Sequence, residues 1–587
     1  MAVAKAARNT YVALVVVLGL GVVIFANLLA DRAFARARVD LTADGKYSLS
    51  PSFRNILERQ DRTSQIKVTY CVSKAVPDEF ETEKRDILDT LREIELASEG
   101  RMVLEIVDPK DNEELEKELA RKKLSSTVRT QEEGRLTWMV LHSVLRLTYA
   151  DKPTEWIPKV YRAETLEYDL ANKIYTLTLD QKPIVAIQRP KPQQMLGSRV
   201  PNDPFSWLLR HPPDLAEKVD IRDIELTEGS TIPAGAKLVI LVRPNDLGER
   251  ARYEVIRYLA GGGRVLLISS PFKMTRDMFS TGLRVKKSPT GLEDYLAQIG
   301  IEPLPDFVCD DKNLKLPARV DPRTGEIERK ALPFFVEVTS GHIYKDSPIT
   351  RGLTGLVMPF PSTVKIDEQK AEAAGVSITV LARTSNLSWL EPYSDLFEPR
   401  SFDETLAGQD PELPVFLQIE GAFPFPWEGK PIPTWSGVPE AKDEAAAKKE
   451  DAKKDDPVLA TMERKPDARP MLFLWTCPES FDSKYVGDQK LGRKMEGNIL
   501  LLPNVVESCA LGEDLINLRS KQYESRSIYG YDKKEERFLR FTVKLCLIGA
   551  TALALVVGGM LYWFVRRAGQ VRYEREMSQS GPSSFMP

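Results

Sequence analysis

The side chains that could carry out covalent chemistry are few, and none has the neighbours that such chemistry needs. Ser269-Ser270-Pro271 follows a predicted buried strand but lacks the Gly-x-Ser-x-Gly setting of a nucleophile elbow. Cys309 is followed by Asp310 and Asp311, whose negative charges disfavour a thiolate. The sequence therefore favours a non-enzymatic protein and indicates no individual catalytic residue.

Histidine and cysteine spacing predicts no metal site and no cofactor. The 3 histidines, His142, His211 and His342, lie far apart and form neither His-Glu-x-x-His nor a similar short motif. The 5 cysteines include no Cys-x-x-Cys pair. Cys477 and Cys509 could form one disulfide if this part of the chain is exported, or could remain two separate buried thiols. Both alternatives stay open at this point.

The sequence also lacks the features of a nucleotide or nucleic-acid binding protein. Gly261-Gly262-Gly263 follows a predicted helix and precedes a strand, whereas a phosphate-binding loop follows a strand and opens a helix. The glycines are therefore interpreted as a helix C-cap. No Gly-x-x-x-x-Gly-Lys-Ser/Thr motif occurs, so the chain has no P-loop motor of its own. A formal net charge of -3 gives no support for nucleic-acid binding.

Two apolar segments near the ends of the sequence are predicted to be transmembrane helices. A helix over residues 11–30 spans roughly 30 Å, the thickness of a bilayer core. The alternative for this segment is a cleaved signal peptide, but the run exceeds the usual apolar region of about 7–15 residues. The second span covers residues 541–565, and Ala550, Ala554 and Gly558 form a candidate helix-packing face on it.

Two spans place both termini on the same side of the membrane. Long loops cross membranes largely regardless of their charge, so the middle of the chain is compatible with export. We therefore expect a protein of the bacterial inner membrane, with residues 1–10 and 566–587 as cytoplasmic tails and the bulk of the chain in the periplasm.

The predicted exported region is α/β, with a thioredoxin-like domain over residues 38–180. Residues 66–71 and 102–107 have the composition of strands, and helical periodicity follows each of them. Two more strands, at 137–141 and 144–149, complete a β-α-β-α-β-β order. Cys71 ends the first strand, but a redox partner is missing because Lys74 occupies the position of the second cysteine.

The rest of the exported region is predicted to be a doubly wound α/β domain over residues 182–436. Its evidence is the alternation of helices with near-continuous apolar strands at 237–242 and 264–269. The later segments are predicted to be a charged low-complexity linker at 437–470, a return to the α/β core at 471–520 and a stalk at 521–540.

Short phrases in a fixed order give the chain a resemblance to a known family. They include Arg38-Val39-Asp40-Leu41-Thr42, Leu166-Glu167-Tyr168, Ser347-Pro348-Ile349-Thr350, Thr384-Ser385 with Ser388-Trp389, and Gly497-Asn498 with Asn504. In this order, and between two predicted spans, they resemble the GldG-like auxiliary subunit of gliding-motility-type ABC transporters. One departure is Glu507-Ser508-Cys509, where an acidic residue followed by tryptophan is expected.

The resemblance implies an auxiliary subunit that works with a separate ABC ATPase and a multi-span ABC permease. It also implies that the larger α/β domain is amidotransferase-like without the catalytic residues, and that other envelope proteins are candidate partners. The alternatives are a membrane-anchored solute-binding receptor and, less favoured, a periplasmic hydrolase.

Overall fold

The computed structural model describes a large part of the chain between the two predicted membrane segments. The described residues are 49–59, 64–132, 135–179, 181–192, 203–206, 208, 213–276, 283–320, 327–397, 406–435, 459–462, 464, 469–486, 491–512, 514–518, 566–569, 571, 572 and 575. Both predicted spans, Ala550, Ala554, Gly558, the predicted stalk and most of the charged linker lie outside these residues. Among the residues described, no helix has the length and apolar character needed to cross a bilayer.

The chain divides into two compact units, Met1–Tyr523 and Glu524–Pro587. In the second unit, the described residues 566–569, 571, 572 and 575 are helical. All elements below belong to the first unit.

The first region of this unit is an α/β layer built on a four-stranded sheet. Its elements are α1 (Pro51–Glu58), β1 (Ile66–Val72), α2 (Asp78–Ala97), β2 (Met102–Val107), α3 (Glu113–Arg121), β3 (Ser126–Glu132), β4 (Arg135–Leu141), β5 (Ser143–Tyr149), β6 (Glu155–Ile157) and α4 (Ala163–Thr178). The strand order is β2-β1-β5-β6, with β1 and β2 parallel and the other pairs antiparallel. A parallel pair needs a crossover connection, and α2 supplies it.

The hairpin of β3 and β4 is the main departure from the predicted strands of this region. The sequence predicts residues 137–141 and 144–149 as two successive strands of the domain. In the structure β4 instead pairs with β3 in a separate two-stranded sheet, and β5 joins the main sheet. The β3 segment is mostly polar, so its sequence carries little of the apolar alternation that signals a strand.

The second region is built on a seven-stranded mixed sheet. Its elements up to β14 are β7 (Ile184–Gln188), α5 (Pro213–Lys218), β8 (Asp220–Asp223), β9 (Ala236–Val242), α6 (Glu249–Ala260), β10 (Arg264–Ile268), β11 (Phe272–Arg276), β12 (Leu283–Lys287), α7 (Glu293–Gln298), β13 (Ile301–Leu304) and β14 (Phe307–Asp310). The remaining elements are β15 (Asn313–Val320), β16 (Ile327–Thr339), β17 (Gly355–Pro359), β18 (Thr363–Ile366), α8 (Glu368–Ala373), β19 (Val376–Arg383), β20 (Ser388–Glu391), β21 (Leu396–Phe397), β22 (Pro414–Gly421), β23 (Met471–Trp475), α9 (Ser483–Val486) and α10 (Glu496–Ala510).

The large sheet has the order β19-β22-β23-β10-β9-β7-β8, and the five strands from β23 to β8 are parallel. Successive residues of a strand point to opposite faces, and both faces of this sheet are buried. Leu238 and Ile240 belong to one apolar cluster, which also contains residues of α10, whereas Val239 and Leu241 belong to another, which contains residues of α6. Helices therefore cover both faces, and the predicted α/β class is confirmed.

Shorter sheets form the remainder of this region and enclose an aromatic core. They are β11-β12-β21, β13-β18, β14-β20 and β15-β16-β17. Phe334, Phe360 and Phe397 pack together in this core, with ring centroids 5.0–5.4 Å apart. Such pairs add to the stabilisation that burial of the rings provides.

Candidate functional site

Helix α10 carries several polar side chains that bond to other elements of the unit. The sequence predicts a strand or turn at 499–502 and a helix from 504 to 509, but a single helix runs from Glu496 to Ala510 and passes through Pro503. Proline removes one helical hydrogen bond, which argues for a break at this point. The helix nevertheless continues because apolar and polar residues all round it are buried, so tertiary packing outweighs the local penalty.

The amino end of α10 lies directly against strand β17. A Cβ atom added at Gly497 would lie 1.8 Å from the carbonyl oxygen of Gly355, so the close approach requires glycine. The next residue, Asn498, is fully buried, and its side-chain amide forms hydrogen bonds with both the N–H and the carbonyl group of Val357. Its Oδ1 accepts from the Val357 N–H at 2.9 Å, and its Nδ2 donates to the Val357 carbonyl at 2.9 Å. The amide thus replaces a neighbouring strand at this sheet edge.

The middle of α10 is joined to the loop that precedes β17. Asn504 Nδ2 donates to the carbonyl of Ile349 at 2.8 Å. Two residues further along this loop, Arg351 Nη1 donates to Oδ1 of Asn517 at 3.0 Å, just after α10 ends. The phrase Ser347-Pro348-Ile349-Thr350 of the family resemblance lies in this loop, and the phrase Gly497-Asn498 with Asn504 lies in α10. These bonds therefore give a structural reason for both phrases.

The carboxyl-terminal half of α10 carries a buried ion pair. Glu507 Oε1 lies 2.7 Å from Nζ of Lys218, and each side chain is 1% exposed. The same Nζ lies 3.4 Å from the hydroxyl oxygen of Tyr168 and 5.6 Å from the centroid of its ring. The contacts therefore join α4 of the first region to α5 and α10 of the second. We call α10 and its partners Val357, Ile349, Lys218 and Tyr168 the α10 junction.

At the end of this junction, residues at the beginning of the described part of the unit contact residues near its end. Asp514 accepts from Nη2 of Arg59 at 2.7 Å and from Nδ2 of Asn55 at 3.2 Å. The Tyr175 hydroxyl of α4 donates to the carbonyl of Leu511 at 3.2 Å. Helix α1, the first described helix, is thereby connected to the segment that follows α10.

Open α/β sheets in general bind ligands outside the carboxyl ends of their parallel strands, where the strand order reverses. Arg189 follows β7 and Arg243 follows β9, the two strands at the reversal. Arg189 pairs with Asp203 and with Asp223, the latter at 2.9 Å. Arg243 pairs with Glu479, whose side chain is almost fully buried. Both guanidinium groups are thus neutralised by carboxylates of the chain itself.

The serine and cysteine considered as nucleophiles are structural residues in this geometry. Ser269 is 8% exposed, and its backbone N–H donates to the carbonyl of Trp475 within the sheet. Cys309 lies in β14 and is fully buried, and burial raises the pKa of its thiol well above the usual value. The described histidines have other partners, since His142 Nδ1 lies 2.9 Å from Ser125 Oγ and His342 Nδ1 lies 3.0 Å from Thr339 Oγ1. His211 lies outside the described residues.

Cys477 and Cys509 are two separate buried thiols, so the disulfide alternative is not the one that the structure contains. Cys477 follows the carboxyl end of β23 and donates to the Pro359 carbonyl at 3.0 Å. The Cys509 carbonyl accepts from Arg264 Nη1 at 2.5 Å, and Arg264 begins the strand that pairs with the amino end of β23. The two thiols therefore lie toward opposite ends of the sheet. Burial raises the pKa of both, that of Cys509 to about 12.

A buried polar network that sequence analysis did not identify surrounds Asp310. Its Oδ2 accepts from the Ser385 N–H at 2.7 Å and its Oδ1 from the Ser385 hydroxyl at 2.6 Å. The Thr384 hydroxyl donates to Ser388 Oγ at 2.7 Å. The family phrase at 384–389 thus supplies the partners of a fully buried carboxylate, whose only sequence signal was its position beside Cys309.

No group of histidine, cysteine and acidic side chains that could hold a metal ion occurs among the described residues. The buried polar side chains described above instead connect helices, strands and loops of the unit to one another.

Comparison with known families identifies two segments of the chain. Residues 213–460 match the sequence model of a family described as an ABC-type uncharacterized transport system. Residues 43–142 match a domain of unknown function, DUF7088. The first match confirms the predicted resemblance to an ABC-transport auxiliary family, whereas the gliding-motility subgroup stays a prediction. No curated protein matches the chain.

Two solved structures share a distant likeness with the chain. The mmIFT52 N-terminal domain is 13% identical, with a TM-score of 0.29, and the match covers 55% of this chain and 97% of that one. The exo-beta-1,4-mannosidase Op5Man5 from Opitutaceae bacterium strain TAV5 is 10% identical, with a TM-score of 0.21, and the match covers 74% of this chain and 50% of the enzyme. Neither likeness is close enough to support a functional argument.

Proposed function

We propose that this chain, whose residues 213–460 match the sequence model of an ABC-type uncharacterized transport system family, is a non-catalytic auxiliary subunit of an ABC transporter. Its partners are a separate ATPase and a multi-span permease. The predicted spans at 11–30 and 541–565 anchor the chain in the bacterial inner membrane. The large α/β region between them lies in the periplasm and binds cargo or envelope partners there.

The division of labour between subunits supports this proposal. The sequence contains no P-loop, so energy from ATP has to come from another chain. A region without its own motor can move in an ATP-dependent way only through contact with such a partner. The predicted spans are the segments through which such movement would pass.

The connection between α1 and the segment after α10 is the observation that carries the proposal. The Arg59–Asp514 and Asn55–Asp514 contacts hold together the two parts of the chain that lead toward the predicted spans. The α10 junction then connects this point to both regions, through Tyr168 in the first region and through Lys218 and Val357 in the second. A force applied at either predicted anchor would therefore act on the whole α/β region.

We further propose the finer fold assignments that the resemblance implies. The β2-β1-β5-β6 order, with β1 and β2 parallel, supports a thioredoxin-like domain with an added hairpin. The parallel strands with helices on both faces support an amidotransferase-like domain. The free, buried Cys71 supports a scaffold without redox chemistry, since burial raises the pKa of its thiol to about 11.

Photo-crosslinking in native membranes tests the partnership with a permease. A photoreactive amino acid is placed at Ala554, on the predicted small-residue face, and in a matched variant at Ala552, on the opposite face of the same predicted helix. We expect Ala554 to yield a crosslink to a multi-span permease and Ala552 to yield mainly lipid adducts. Equal crosslinking from both positions, or a crosslink to an unrelated protein, would contradict the proposal.

A further inference from the structure

Strand β8 lies at one end of the seven-stranded sheet, and its outer side is unpaired. Within the described part of the chain it pairs with β7 and with no other strand. The Asp220 N–H donates to the carbonyl of Pro183 at 3.0 Å, on the β7 side. Because backbone groups alternate in direction along a strand, the N–H and carbonyl of the next residue, Ile221, point outward. We call this outward side of Asp220, Ile221 and Arg222 the β8 edge.

Two other outer strands show how this fold covers an edge. At β2, backbone N–H groups donate to side chains of α2, one to Ser98 Oγ at 3.1 Å and one to Glu95 Oε1 at 2.8 Å. At β19, the carbonyl of Leu381 accepts from the Tyr344 N–H at 2.9 Å. The outward groups of Ile221 have no such partner among the residues described. An unpaired edge of this kind is a template for another strand.

A groove of about 560 Å³ lies beside the β8 edge and leaves room for an additional strand. Its lining includes Ala216 of α5 together with Val219 and Ile221. Ile221 is only partly buried and packs at the margin of the apolar cluster that contains residues of α10. A neighbouring strand would lie about 4.8 Å from β8 and would complete the burial of this side chain.

The charges of the β8 edge are complementary to themselves about Ile221. Opposite residues of an antiparallel pair lie on the same face of the sheet, which leaves registers centred on Asp220, on Ile221 or on Arg222. With Ile221 opposite Ile221, Asp220 of each copy faces Arg222 of the other. The two alternative registers place like charges opposite each other, which is unfavourable. The charges therefore select one register, and in it Ile221 forms the hydrogen-bonded pair that its outward backbone groups require.

This complementarity does not need either charged group to be unpaired in the single chain. Arg222 Nη2 lies 2.8 Å from Asp220 Oδ2, and the two side chains are 50% and 43% exposed. An exposed pair of this kind adds little stability to one chain. Association exchanges two ion pairs within chains for two between chains, while the backbone bonds and the burial of Ile221 are gained.

We propose that the β8 edge pairs with the same edge of a second copy of this chain, so that two seven-stranded sheets form one continuous sheet. The Ile221 N–H of each copy donates to the Ile221 carbonyl of the other. A strand of an unrelated protein could also meet these backbone groups, but the self-complementary charges favour a second copy. This inference rests on the strand edge alone and stands whether or not the chain works with an ABC transporter.

Charge reversal in the full-length protein, in mild detergent, tests the proposal. Analytical ultracentrifugation at up to about 100 μM detects Kd values from the nanomolar to the micromolar range. Asp220→Arg and Arg222→Asp each place like charges opposite each other, so we expect each to weaken the dimer at least about tenfold. The double variant restores opposite charges and should dimerise within about threefold of the wild type. The matched control Glu113→Arg reverses an exposed charge in α3 and should change association by less than about twofold.

A mixture of the two single variants gives the sharpest result, because their charges complement each other although neither complements itself. An equimolar mixture, with an affinity tag on one variant, should form mixed dimers about as tightly as the wild type. This recovery also shows that both single variants are folded. A monomeric wild type would overturn the proposal, as would a mixture that stays monomeric. Single variants that dimerise like the wild type would assign the dimer to another surface and would overturn it equally.

Discussion

Lys218 and Glu507 are 289 positions apart in sequence, yet their charged atoms lie 2.7 Å apart in a site from which solvent is almost fully excluded. Neither residue lies in a motif with known chemistry. The pair joins α5 to α10, and Tyr168 extends it to α4. A buried ion pair of this kind is weak evidence for added stability, but its position at the meeting point of both regions makes each partner dependent on the other.

We expect the Lys218→Met variant to lower the free energy of unfolding by about 3–5 kcal/mol, because Glu507 loses the cation that compensates its buried charge. Urea denaturation of the full-length protein, followed by tryptophan fluorescence, measures this. The double variant Lys218→Met/Glu507→Leu should lose less than Lys218→Met. Additive losses in the double variant would show that the two side chains do not act as a pair.

Asn498→Ala should lower the free energy of unfolding by about 2–3 kcal/mol, since it leaves the buried N–H and carbonyl of Val357 without their partners. The matched control is Asn386→Ala, at an exposed position, which should change stability by less than about 0.5 kcal/mol. Equal effects of the two substitutions in chemical denaturation would contradict the role given to Asn498.

Gly497→Ala tests the close approach of α10 to β17. The added methyl group would collide with the Gly355 carbonyl, and we expect a loss of about 1–3 kcal/mol or a displaced helix. Gly341→Ala is the control, because an added Cβ there meets no atom within 4 Å. Faster amide hydrogen exchange in α10 of Gly497→Ala, but not of Gly341→Ala, is the expected readout.

The raised pKa of Cys509 predicts a loss of stability in alkaline solution. Its thiol titrates at about 12 in the folded state and at about 9.0 when exposed, so the unfolded state releases the proton first as pH rises. The associated stability is fully present below about pH 9 and falls by up to ~1.4 kcal/mol per pH unit above it. Denaturation at a series of pH values should show a shallower fall for Cys509→Ala. Identical pH profiles for the two proteins would contradict the buried, protonated thiol.

The α/β class and several strands could be predicted because they depend on local patterns. Residues 102–107 and 237–242 alternate or run apolar in the way that strands require, and they form β2 and most of β9. Helix α10 was divided in the prediction because Pro503 is a local signal for a break. The burial that overrides it depends on residues such as Leu356 and Leu238, which are distant in sequence.

The α10 junction could be predicted only in part. Gly497, Asn498 and Asn504 belong to phrases of the family resemblance, but their partners are backbone groups, which have no sequence signature. Lys218 gave no signal at all, because a lysine at the end of a helix is ordinarily exposed.

The most direct test of the proposed function is affinity purification of the full-length protein from its native membrane in mild detergent, with quantitative mass spectrometry of the partners. An auxiliary subunit predicts an ABC ATPase and a multi-span permease in a fixed ratio to this chain. Recovery of the chain without either partner, under conditions that keep other ABC complexes intact, would contradict the proposal and favour a free receptor or an enzyme.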